Sequence, residues 1–194
     1  MKNLLFISLI LILTTSCKKS TFTNEEFKLK TKPIELERMK LILNELKEAK
    51  VFNFKVETKK SQSIDPTENQ DEQIAAIFEP LLINGRELQT ELLSIVENSN
   101  EWEQIPDTDK QILLNLSNEQ LVDLSITYSL GGAIHDCVGV ALGFAGLRSL
   151  LTGMITGPTV TTALGILKWV GKRYLSYIGL ACMIWDFMDC VSHF

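Results

Sequence analysis

The chain has 194 residues, is 45% hydrophobic and 22% charged, and carries 19 lysines and arginines against 24 aspartates and glutamates, a net charge of −5. That length suits one domain or two small ones, and the acidic balance excludes a general nucleic-acid footprint. With two histidines and no Gly-x-Ser-x-Gly, P-loop or dinucleotide glycine pattern, no catalytic constellation is visible. Neither an enzyme nor a cofactor is expected.

The chain opens Met1-Lys2-Asn3, runs through the apolar stretch Leu4 to Leu13 and reaches Thr14-Thr15-Ser16-Cys17. A cationic start, a short apolar run and small residues form the layout of a secretory signal peptide. The ten residues of that run, apolar except for Ser8, make roughly 15 Å of helix, half of the ~30 Å hydrocarbon core, so the run engages an export channel without spanning comfortably. The ending Leu13-Thr14-Thr15-Ser16-Cys17 resembles the lipobox of bacterial lipoprotein precursors. The resemblance implies removal of residues 1–16 and lipidation of Cys17 with a diacylglyceryl thioether and an N-acyl chain. Two or more acyl chains make membrane anchoring effectively stable. Lys18, not Asp, follows the cysteine; by the same resemblance this implies the outer membrane of the bacterial envelope.

Residues 17–32 then read as a lipidated flexible tether, polar and without apolar period. Residues 33–130 read as a small helical domain. Pro33 suits a first helical turn, and Leu36, Met39, Leu43 and Leu46 form an amphipathic stripe, predicting a helix from Pro33 to Lys50. Val51 to Val56 alternates like a strand, and Lys59 to Gln70 has loop composition. Asp71 caps a helix through Ile74, Phe78 and Leu81, which Pro80 bends and Asn84-Gly85 ends; a separate helix carries Leu88, Leu92 and Ile95 to about Asn98. Pro106-Asp107 opens a short helix. Ser117 to Gln120 forms a capping box leading to Leu121 and Leu124. The charged faces of this half are most simply solvated surface.

Residues 131–194 change character. Gly139 with Gly143 and Ala141 with Ala145 place small residues four apart, spacing that lets helices approach closely. Gly157-Pro158 is a turn signal, Thr159 to Val170 resumes an apolar helix, and a final helix covers about Leu175 to Val191. Arg148 in the first run makes spanning a bilayer costly, and Asp186 and Asp189 do the same in the last. The expectation is all-α: an apolar, glycine-rich helical hairpin packed on the N-terminal half. The alternative is a membrane-active hairpin.

At 100° per residue, Cys182, Asp186, Asp189 and His193 share one sector of the last helix, opposite Leu180, Met183 and Phe187, with Cys190 at the apolar edge. This angle favours a disulfide between Cys137 and Cys190, closing a loop of about fifty residues worth roughly 3–4 kcal/mol. A straight hairpin brings Cys137 nearer Cys182, which stays as the alternative partner. No metal is expected, and His135, Asp186, Asp189 and His193 are the weak candidates if the two clusters meet.

The region after Leu130-Gly131-Gly132 resembles apolar, glycine-rich bacteriocins, small helical peptides that permeabilise membranes. It is also similar to precursors whose leaders end in a double glycine, although those leaders are N-terminal. That resemblance implies a toxin in residues 133–194 and stands as the alternative. The leading expectation is a non-catalytic structural or interaction lipoprotein. Its working part is the C-terminal hairpin, and its partners are the membrane, through Cys17, and a possible envelope protein.

Overall fold

The computed structural model describes residues 27–51, 68–131, 137 and 147–192. Those residues are all-α, with nine helices and no strand among them. The helices are α1 (Leu36–Glu48), α2 (Glu68–Ile77), α3 (Glu79–Val96), α4 (Asn100–Glu103), α5 (Asp107–Leu114), α6 (Asn118–Gly131), α7 (Leu147–Thr156), α8 (Val160–Gly171) and α9 (Tyr177–Ser192). The strand expected from Val51 to Val56 lies, beyond Val51 itself, outside the described residues, as do Cys17 and the small-residue run from Val138 to Gly146.

Helix α6 is the axis of the fold. Every residue from Leu121 to Gly131 is buried, and a helix without a solvent face belongs in the middle of a core. Helix α3 packs along it, α7 and α8 cover a second side, and α9 closes over α1, α2 and α6. One apolar cluster joins Met39, Leu46, Phe78 and Leu88 to Leu167, Ile184 and Phe187. The C-terminal helices therefore complete the core that the N-terminal helices begin.

The α3–α6 contact corrects the expected break at Asn84-Gly85. Helix α3 runs straight through both residues. A methyl at Gly85 would collide with the Leu121 carbonyl oxygen, so the glycine serves close helix approach and not chain reversal. Asn84 is buried and holds a side-chain bond across the interface, described below. The true break falls earlier, at Phe78 between α2 and α3, with Pro80 in the first turn of α3, where its missing N–H leaves nothing unsatisfied.

Helix α1 begins at Leu36 and not at Pro33, because Glu35 is its extended N-cap. It ends with Lys50 at φ 53°, while Val51 N–H donates to Leu46 carbonyl and Lys50 N–H to Lys47 carbonyl. Those two bonds, with Leu46 and Val51 both buried, make a Schellman motif on a non-glycine residue. The capping box at Ser117 forms as expected: Ser117 N–H donates to Gln120 Oε1 at 2.9 Å and Gln120 N–H to Ser117 Oγ at 3.3 Å. Thr159 and Thr162 build a second box at the start of α8.

Cys137 and Cys190 are joined by a disulfide, with Cα atoms 5.5 Å apart. Among the described residues no helix is long and apolar enough to cross a membrane.

Candidate functional site

The densest polar structure lies where residues 27–34 cross the seam between α3 and α6. This segment includes the end of the expected tether, yet it is clasped. Phe27 N–H donates to the Pro158 carbonyl at 3.0 Å. Glu91 of α3 accepts from Lys30 N–H at 2.7 Å, from Thr31 N–H at 2.9 Å and from the Thr31 hydroxyl at 2.8 Å. Asn84 Nδ2 donates to the Lys32 carbonyl at 2.9 Å, and its oxygen accepts from Ser125 Oγ at 2.8 Å. From α6, Tyr128 donates its hydroxyl to the Thr31 carbonyl at 3.1 Å, and Ser129 Oγ accepts from Ile34 N–H at 2.8 Å.

The helices present these groups by spacing. Asn84 and Glu91 are two turns apart on α3, and Ser125, Tyr128 and Ser129 are one turn apart on α6, so each set shares a face. Nearly all of the contacts are to the backbone of the strap, so they fix its path more than its side-chain identity. Burial, with the Glu91 charge adding to it, pushes the Tyr128 hydroxyl above its ordinary pKa, which keeps it a donor. Phe27, Leu29 and Ile34 pack against the core, while Lys28, Lys30 and Lys32 are exposed.

A second polar cluster sits at the other end of α6. Asp123 is 1% exposed, contrary to the expectation that the charged groups of this half are solvated. Its Oδ1 accepts from Thr127 Oγ1 at 3.2 Å and from Arg173 Nη1 at 3.3 Å, and Oδ2 has no hydrogen-bond partner among the described residues. Burial raises its pKa to about 6, with Arg173 and then Thr127 opposing the rise. Arg173 also lies over the Trp169 ring, 4.0 Å from its centroid, a stacked cation. Gln120 Nε2 donates to the carbonyls of Gly171 at 3.0 Å and Arg173 at 3.2 Å, closing the end of α8. Beside it a cavity of about 320 Å³ is lined by Ser117, Glu119, Gln120, Arg173, Tyr174 and Ser176. The Ser117 hydroxyl donates to Glu119 Oε2 at 2.8 Å, and the Gln120 amide donates to the carbonyls at the end of α8.

The sequence-predicted residues distribute as follows. Cys137 and Cys190 are paired, as the angular reading of the last helix favoured. Cys182 is a free, half-buried thiol whose pKa is raised by burial and then by Asp186. Asp186 and Asp189 are exposed on α9, and His135 and His193 lie outside the described residues. Among the described residues no group of three or more His, Cys, Asp or Glu side chains is placed to hold a metal. Sequence reading missed Asn84, Glu91, Tyr128 and Ser129 because their partners on the strap stand 52 to 97 positions away. Polar residues recurring through the otherwise apolar run from Leu121 to Leu130 were a signal that the sequence offered. No protein-family model, curated protein or solved structure matches this chain.

Proposed function

We propose that the protein is a lipid-anchored bacterial envelope protein, held at the outer membrane through acyl chains on Cys17, with a structural or interaction role and no catalytic one. The clasp on residues 27–34 is the observation that carries this reading. A spacer that only separated body from anchor would gain nothing from having its backbone bound by Glu91, Asn84, Tyr128 and Ser129. A segment through which an anchor holds the body needs a firm seat. Ten residues from Cys17 to Phe27 reach at most about 35 Å, so the body stays near the lipid surface.

The apolar C-terminal helices serve first as structure. Leu151, Met154, Ile166, Leu167, Ile184 and Phe187 are buried in the shared core, and freeing residues 133–194 as a toxin would strip that core. What a partner meets here is the exposed remainder, including Ile155 on α7 and Tyr174 in the connection between α8 and α9. The test is vesicle leakage. Full-length protein is expected to leave dye-loaded vesicles intact, and a fragment of residues 133–194 to aggregate without leakage. Leakage by the fragment would favour the bacteriocin-like alternative.

A further inference from the structure

The strap has two sides. Phe27, Leu29 and Thr31 turn inward, and Lys28, Lys30 and Lys32 alternate with them on the outside. None of the three ammonium groups forms an ion pair with a described residue. The carboxylate on the inner side, Glu91, is taken up by backbone amides and the Thr31 hydroxyl. Charge is also divided along the chain: residues 18–32 hold five lysines against two glutamates, while residues 33–194 hold 22 acidic and 13 basic side chains. The net charge of the body is therefore unfavourable to an anionic surface, while that of the strap and the short stretch leading to it is favourable.

We infer that the outward row Lys28, Lys30 and Lys32 is a contact site for an anionic phospholipid surface, setting which side of the body faces the membrane. The inference rests on the anchor reading, because lipidation at Cys17, eleven residues before Lys28, is what would keep the start of the row within about 40 Å of lipid headgroups. Basic side chains at such a surface each contribute about 1 kcal/mol, roughly fivefold in binding, and their attraction fades with salt. Where the anchor supplies attachment, the lysine row supplies orientation.

The experiment uses the mature chain, residues 17–194, with Cys17→Ser so that no acyl chain contributes. Co-sedimentation is measured with vesicles of phosphatidylcholine alone and with vesicles containing about one third phosphatidylglycerol. Binding is expected only to the anionic vesicles, falling steeply as salt rises. The triple variant Lys28→Gln, Lys30→Gln, Lys32→Gln should bind about a hundredfold more weakly with an unchanged far-ultraviolet dichroism spectrum. Lys172→Gln, beyond the other end of α8 from Pro158, should bind as the parent does. Equal binding of parent and triple variant, equal binding to neutral vesicles, absence of binding, or equally tight binding of a single-stranded oligonucleotide would each overturn the inference. Failure of the anchor reading is scored separately, by a missing lipid mass on Cys17 in protein taken from cell membranes.

Discussion

Thr31 gives both its backbone N–H and its hydroxyl to one oxygen of Glu91, at 2.9 and 2.8 Å. The other oxygen takes Lys30 N–H at 2.7 Å, so a single side chain of α3 fixes the middle of the strap. Hydrogen bonds to a charged group are worth about 1.5–3 kcal/mol each when one partner is lost from a buried site, and less where water can replace it. Glu91→Ala should lower stability by about 2 kcal/mol. It should also speed tryptic cleavage after Lys28 and Lys30 while the rest of the body resists; the Lys32–Pro33 bond is not a tryptic site. Unchanged cleavage rates would show that the strap does not depend on Glu91.

Gly85 tests the α3–α6 approach by sign as well as size. On an open helix Gly→Ala stabilises by about 1 kcal/mol. Here a methyl meets the Leu121 carbonyl oxygen, and backbone cannot rotate away as a side chain can. Gly85→Ala should instead destabilise by about 3 kcal/mol, within or above the usual range for overpacking, read as a lower urea midpoint. A raised midpoint would mean that the helices stand further apart.

The Asp123 carboxyl makes stability depend on pH in an unusual direction. Its folded pKa is about 6, above the ordinary aspartate value near 4. Between those values the native state holds the proton and the unfolded state does not. The contribution of Asp123 to stability is therefore fully present below about pH 4 and is lost as pH rises through 6. A shift of this size corresponds to on the order of 3 kcal/mol. Asp123→Asn should remove that slope, so its stability relative to the parent should rise by about that amount from pH 4 to pH 7. Parallel melting-temperature profiles for the two proteins would contradict the burial of Asp123.

Cys137 and Cys190 lie 53 positions apart, and a cross-link over such a loop contributes about 4 kcal/mol in the chain-entropy model. Non-reducing peptide mapping should return this pair with Cys182 alkylatable. Cys190→Ser should lower the melting temperature by roughly ten degrees. Recovery of a Cys137–Cys182 peptide would reverse the pairing.

What the sequence made legible was local or angular. The stripe Met39, Leu43, Leu46 and the box from Ser117 to Gln120 each rest on contacts within a turn or two, and both form. The Cys137–Cys190 pairing followed from the position of Cys190 beside the apolar face of α9, a face that Leu180, Met183 and Phe187 do bury. Asn84-Gly85 misled because the same dipeptide that ends a helix also permits close packing, and only the position of Leu121 decides between them. Asp123 and the strap contacts were hidden for a related reason. A carboxylate reads as surface until a distant Arg173 is brought to it, and residues 27–32 read as linker, with Pro33 and Ile34 as helix, until α3 and α6 form a seat.

The most direct test of the central claim is the intact mass of the mature protein extracted from cell membranes. Removal of residues 1–16 and a diacylglyceryl and acyl addition at Cys17 are predicted, and Cys17→Ala should abolish the addition and shift the protein to the soluble fraction. An N-terminus without lipid, with Cys17→Ala fractionating as the parent does, would contradict the lipid-anchored reading.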